Sequence, residues 1–168
     1  MASDPRLRRF IVAAVLSLVA LVVLYYFAHT LEYTWKERNE ARARETLSVI
    51  NRALESYQKK FEGYPGSLER LRGGEEGRPE SGPPERARLL DSRRAKDSFE
   101  LAGYRFRFQP GQADQRWAAT VQLFKSYRLT AEPLSPGGGG EDFYYSDQTG
   151  VIRARPGQAA GPDDPVVR

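Results

Sequence analysis

Few residues in this chain carry side chains suited to covalent chemistry, and they do not come together in any motif. There is no cysteine and only one histidine, His29. Thiolate nucleophiles, disulfides, Cys/His zinc sites and Ser-His or Cys-His pairs therefore lack their parts. His29 closes an apolar run and reads as an interfacial residue. Glu75 and Glu76 are adjacent carboxylates, but they stand in RGGEEGRPESGPP at 72–84. A loop of that composition does not hold two acids at a fixed catalytic separation. GGGG at 137–140 lacks the Lys-Ser/Thr that completes a phosphate loop, so it reads as part of a flexible linker, SPGGGG, at 135–140. Arg93, Arg94 and Lys96 read as a solvated helix face. In YRFRF at 104–108, alternation puts Tyr104, Phe106 and Phe108 on one face and Arg105 and Arg107 on the other. Arginines on the opposite face cannot reach the phosphates of bases stacked on the aromatics. Core on one side and water on the other is the expected arrangement.

These residues offer no catalytic, cofactor-binding or metal-binding constellation, and the chain reads as not an enzyme. The charge balance agrees. Against 26 Lys+Arg stand 22 Asp+Glu, a formal +4 over 168 residues. That excess is too small to call for a nucleic-acid partner, and the length suits one modest domain.

The elements that would position any site begin with an apolar run. Residues 10–28, FIVAAVLSLVALVVLYYFA, contain no charge. At 1.5 Å per residue such a helix spans roughly the 30 Å hydrocarbon core of a bilayer. Tyr25, Tyr26 and Phe27 close it, with Tyr33 and Trp35 just beyond, the composition of an interfacial aromatic belt. Arg6, Arg8 and Arg9 precede it and favour the amino terminus on the cytoplasmic side. The rival reading is a cleaved signal peptide, but a cut after Ala28 puts Tyr26 where a small residue is needed. The expected order is a basic tail at 1–9, a transmembrane helix at 10–30 and an extramembrane continuation at 31–62.

Residues 31–61 contain no Pro or Gly and are rich in good helix formers. Leu47, Ile50, Leu54, Tyr57 and Phe61 recur at spacings of three and four and form one apolar stripe. The stripe lasts about two heptads, short of a coiled coil, so docking on a sheet is expected. Gly63 is expected to take the left-handed conformation that ends the helix, and Pro65 to prevent its resumption. Ser67 is a candidate N-cap for a short turn carrying Leu68 and Leu71. A variable loop is expected over 72–98, with a short helix at 85–96. An antiparallel sheet over 103–154 should follow, with strands at 104–108, 143–145 and 151–153, and with 117–124 and 127–132 either as one long bent strand or as two strands with a break near Lys125-Ser126. Asp147 to Gly150, DQTG, is the hairpin turn. The tail 155–168 lacks a core-forming pattern and is expected to be disordered. The fold class is α+β: one long helix, transmembrane then amphipathic, packed on a small antiparallel sheet. The packing residues are Leu47, Ile50, Leu54, Tyr57, Phe61, Tyr64, Pro65, Tyr104, Phe106 and Phe108.

A basic start, an apolar helix, a continuous amphipathic helix, and then Gly63-Tyr64-Pro65-x-Ser67-Leu68-x-x-Leu71 resemble the type IV pilin-like proteins. The major pseudopilins of type II secretion systems are the most similar group. YRLTAEP at 127–133 and FYYSDQTGVIR at 143–153 resemble their sheet. The resemblance covers most of residues 10–154, with 63–154 as the globular part. The chain departs from the pattern in having Arg9 rather than Gly before the apolar run and no acid within it, so a prepilin-peptidase site is not recognisable. The resemblance implies a non-enzymatic, single-pass protein of a bacterial inner membrane. Its domain would be periplasmic and its role structural or in assembly. Its partners would be the membrane and other pilin-like or secretion-system membrane proteins, with oligomerisation open. No cofactor is expected. The similar group often binds calcium in a C-terminal loop, which puts forward Glu141, Asp142 and Asp147. Three carboxylates fall short of the usual six to eight oxygen ligands, and a solvated turn is the plainer role. The alternative function is a free-standing, membrane-anchored periplasmic binding module, with the arginine-bearing sheet face or the glycine-rich loop as its ligand surface.

Overall fold

The structure is a computed structural model and describes residues 5–72, 89–114, 122–135 and 139–167. One helix, α1 (Pro5–Phe61), runs for 57 residues. The chain divides into two compact units, Met1–Trp35 and Lys36–Arg168. Within the first, the described residues form the first part of α1 alone.

In the second unit the rest of α1 packs on one face of a five-stranded antiparallel sheet. The strands, in chain order, are β1 (Ser98–Leu101), β2 (Tyr104–Pro110), β3 (Ala113–Asp114), β4 (Leu123–Phe124), β5 (Tyr127–Pro133), β6 (Asp142–Asp147) and β7 (Arg153–Pro156). The main sheet has the order β1-β2-β5-β6-β7, and β3-β4 form a separate ribbon between β2 and β5. The registers Phe106↔Ala131, Ala131↔Tyr144 and Tyr144↔Ala154 put one row of core residues across four strands. Against them lie Leu47, Ile50, Leu54 and Tyr57 of α1, each fully buried. Burial of one such side chain stabilises by about 1.5–3 kcal/mol, so this contact outweighs any cap or surface ion pair. The α+β expectation agrees with this arrangement.

On the solvent face of the sheet, Arg105 pairs with Glu100 at 2.8 Å and Arg107 with Glu132 at 3.2 Å. The alternation read in YRFRF thus separates core from water. The break at Lys125-Ser126 separates β4 from β5. The rest of the strand expected from 117 lies outside the described residues, as do most of the expected 72–84 loop and the start of the expected 85–96 helix.

Several elements differ from the sequence reading. The sheet starts at Ser98 rather than 103, because β1 pairs with β2 through a two-residue turn in which Ala102 (φ 50) and Gly103 (φ 75) are both left-handed. Residues 89–97 hold a bridge and a turn instead of a helix. Asp91 accepts from Arg93 N at 2.9 Å and Arg94 N at 3.1 Å, a local cap that competes with helix formation. Leu89 N and Leu90 N both donate to the Leu71 carbonyl. The tail, expected to be disordered, lies against the β7 edge. Ala154 N donates to Pro165 O at 3.0 Å and Val167 N to Ile152 O at 3.0 Å. Arg153 Nη1 reaches the Asp164 carbonyl at 2.7 Å, and Val167 packs on the core. An open sheet edge offers a row of unpaired backbone groups, which is why so polar a segment is held.

The helix ends as expected in place but not in mechanism. Glu62, not Gly63, is left-handed, with φ 60. Glycine is needed at 63 for room: a Cβ there would lie 2.9 Å from Leu123 Cβ of β4. The passage beyond is pinned by backbone bonds in both directions between Tyr64 and Phe124, at 2.8 and 2.9 Å. Ser67 caps the 3-10 helix Leu68–Leu71 by accepting from Glu69 N at 3.1 Å. Glu62→Gly should raise stability by about 0.5–1 kcal/mol by removing a left-handed side chain. Gly63→Ala should lower it by about 1–3 kcal/mol through overpacking. Denaturant unfolding of both variants checks this. A neutral Gly63→Ala together with a destabilising Glu62→Gly would reverse the assignment.

Candidate functional site

Two features stand apart from ordinary core and surface. The first is the apolar part of α1. Its large side chains are exposed, from 47% at Val22 to 69% at Tyr25. This stretch makes α1 long and apolar enough to cross a membrane. At its polar end Tyr25 lies edge-on to Tyr26 and close to His29, and Thr30 returns its hydroxyl to the Tyr26 carbonyl at 2.8 Å. A hydroxyl bonded in this way is satisfied without water.

The second lies in the Lys36–Arg168 unit. Of the ten packing residues read from the sequence, Leu47, Ile50, Leu54, Tyr57, Pro65, Tyr104, Phe106 and Phe108 are buried. Phe61 and Tyr64 are partly buried at the core's margin, Phe61 against the Tyr57 ring and Tyr64 against the Tyr127 ring. The residue that sequence reasoning missed is Asn51, 6% exposed. It sits four residues beyond Leu47 and three before Leu54, a polar side chain inside the apolar stripe, and that placement was the available signal. Its Nδ2 donates to Ser146 Oγ at 2.8 Å and to Gly150 O at 3.1 Å, and its Oδ1 accepts from the Tyr127 hydroxyl at 3.1 Å. One buried amide thus ties α1 to β5, β6 and the loop after β6. Burial raises the Tyr127 pKa well above that of an ordinary phenol, aided by Tyr64 and Asp147, so the hydroxyl keeps its proton.

This network floors a polar groove of about 470 Å³. One wall is the α1 flank from Ser48 to Lys59; the other is the loop 148–150, with Tyr64 at one end. Across it the Tyr64 hydroxyl approaches Gln148 O at 3.4 Å, and along the helical wall Lys59 pairs with Glu55 at 2.7 Å. The loop is held by Asp147, whose carboxylate accepts from Thr149 N at 2.9 Å, Thr149 Oγ1 at 2.6 Å and the Tyr145 hydroxyl at 3.3 Å. Burial acts to raise the Asp147 pKa, but the hydrogen bonds from Thr149 and Tyr145 prevail and hold it below the ordinary carboxylate value.

The glycine-rich segment is not a loose linker where it is described. Gly139 and Gly140 are buried, and side chains there would strike the Gly103 backbone and the Tyr104 hydroxyl. That hydroxyl reaches no hydrogen-bond partner among the described residues. Beside it, Glu40 accepts from Glu141 N at 2.9 Å, Lys36 pairs with Glu141 at 3.0 Å and Arg44 donates to the Tyr144 hydroxyl at 3.3 Å. Burial pushes Tyr144 up to about 12 and also raises Asp142, with Glu40 adding to both. The three acids put forward for calcium do not converge. Asp142 and Asp147 begin and end β6, about 17 Å apart at 3.4 Å per residue. Among the described residues, no group of three or more His, Cys, Asp or Glu is placed to hold a metal ion.

No protein-family model, curated protein or solved structure matches this chain. The architecture is therefore defined by its own geometry, an α+β domain on the second part of a helix whose first part is apolar.

Asp147 carries a pH signature. Its folded pKa is lowered, so its stabilisation is complete above the ordinary carboxylate value near 4 and is lost as pH falls through the folded value. Asp142, raised, acts with the opposite sign. Comparison with Asp147→Asn isolates the one group. The variant should be less stable by about 1–2 kcal/mol at pH 7, with the gap closing below about pH 4. A gap that stays constant in denaturant unfolding from pH 7 to pH 3 would count against the charge-assisted bonds.

Proposed function

We propose that this chain is a non-enzymatic, single-pass protein of a bacterial inner membrane, with its amino terminus in the cytoplasm and its Lys36–Arg168 unit in the periplasm. Its pilin-like domain serves as a structural or assembly component of a secretion or pilus-like system. The observation that carries this reading is the change of character along α1. From 13 to 28 its described side chains are exposed and almost wholly apolar; from 43 to 57 one stripe is buried against a sheet and the rest of the surface is polar. Exposed apolar surface of that extent needs a non-aqueous neighbour. Helices in lipid associate by close side-chain packing, so a partner helix is the natural occupant of part of that surface. The polar groove favours the second reading, an anchored binding module.

In native membranes the chain should resist alkaline carbonate and come away only with detergent. A photo-crosslinking residue at Val15, Leu18 or Val22 should yield a discrete adduct with another membrane protein. Release by carbonate would overturn the anchor. Carbonate resistance without an adduct at any of the three positions would overturn the assembly role and leave the anchored module.

A further inference from the structure

We propose that the groove between α1 and residues 148–150 binds a linear, uncharged, hydroxyl-rich saccharide chain. The inference is independent of the membrane reading, because every residue lining the groove belongs to the Lys36–Arg168 unit. About 470 Å³ is within the range of small-molecule sites. Its helical wall from Ser48 to Lys59 runs about 16 Å at 1.5 Å per residue, which suits a chain of rings better than one compact molecule.

The lining selects the ligand class by what it offers and what it lacks. Apart from Gly150 and two tyrosines, every lining side chain is polar, and none is aliphatic. A peptide or lipid that binds by burying several apolar groups finds only the tyrosine rings to bury them on. A polyanion is not favoured either. Of the two cations, Lys59 is paired with the lining Glu55 at 2.7 Å, which leaves the single charge of Arg52, too little for a chain of anions. What remains open is a set of neutral hydrogen-bonding groups. Gln58 and Gln148 line the groove on opposite walls, and the hydrogen bonds they make to described residues, from Glu62 N and the Tyr64 hydroxyl, use their backbone carbonyls. Each presents a carbonyl acceptor and an NH2 donor, a match for hydroxyls that both donate and accept. The remaining Arg52 N–H groups add donors, and the partly exposed Tyr64 ring, edge-on to Tyr127 at 4.9 Å, offers a rigid apolar face for the C–H side of a sugar ring.

The floor is preformed. Asn51 spends its amide on Ser146, Gly150 and Tyr127, and Thr149 spends its hydroxyl on Asp147. Little ordering is therefore left to occur on binding, which favours affinity for a ligand contacted chiefly through hydrogen bonds. Sequence reading did not single out this groove, because its walls come from residues about ninety positions apart.

The test uses the purified full chain in a detergent without a sugar headgroup, with cellotetraose and chitotetraose as probes. Ligand-observed saturation-transfer NMR and calorimetry should show saturable binding of at least one tetrasaccharide. Gln58→Ala and Gln148→Ala, both at solvent-accessible positions, should each weaken it roughly tenfold, the loss of about one good hydrogen bond. Unfolding midpoints should stay unchanged. Absence of binding for both tetrasaccharides at millimolar concentration would overturn the proposal, as would binding that both variants retain. Saturable binding of tripolyphosphate or an extended tetrapeptide at the groove in place of either saccharide would overturn it as well.

Discussion

Everything ordered in the Lys36–Arg168 unit depends on the burial of one helical stripe against one sheet face. Leu47, Ile50, Leu54 and Tyr57 are completely withdrawn from water, and so are Tyr104, Phe106, Leu129 and Ala131 opposite them. Neither surface is stable alone. An isolated helix gains little from propensity in water, and a small sheet needs a covered face to persist. The contact sets the register of the sheet as well. A slip of one residue in β2 would turn Arg105 and Arg107 into the core and Phe106 into water. The sequence alternation and the tertiary contact therefore enforce the same pairing.

Close approach is the second constraint, and it falls on glycine. Gly63 lets the chain leave the helix against Leu123, while Gly139 and Gly140 let the segment before β6 lie on the β1–β2 turn and the Tyr104 hydroxyl. At Gly63 and Gly139 the missing side chain is what the position requires; Gly140, with φ 157, needs the backbone freedom of glycine as well. Asp147 is the polar counterpart. Its three hydrogen bonds shape the start of the connection after β6, whose far end is anchored by Ile152 against the core.

Much of the fold was legible because it is written in period. A spacing of three and four marked the helix, and a spacing of two marked YRFRF. Ser67 was legible as a cap because its chemistry is local. The features that escaped are those whose cause lies elsewhere in the chain. β1, SFEL, has too weak a pattern to be seen without its partner strand. The tail has no pattern at all and is placed by backbone bonds to residues 152–154 and by Asp164 beneath Arg153. The helix expected near 85–96 lost, where it is described, to the local cap of Asp91. The candidate groove was the least legible feature, since it is made by adjacency between a helix flank and a loop that the sequence holds far apart.

Asn51 connects the core to that groove. A leucine in its place would continue the stripe and add apolar burial, but it would leave the buried Tyr127 hydroxyl and Ser146 Oγ without their shared partner and release the exposed Gly150 carbonyl to water. Leaving buried polar groups unsatisfied costs about 1–3 kcal/mol each, so a purely apolar stripe would not be the more stable solution unless those partners changed too. The polar interruption fixes where the loop 148–150 sits relative to α1. Asn51 and its partner Tyr127 also line the polar cleft beside that loop. The position of the loop 148–150 at the surface of this domain is thus tied to a single amide inside it, the same residue that breaks the helical pattern.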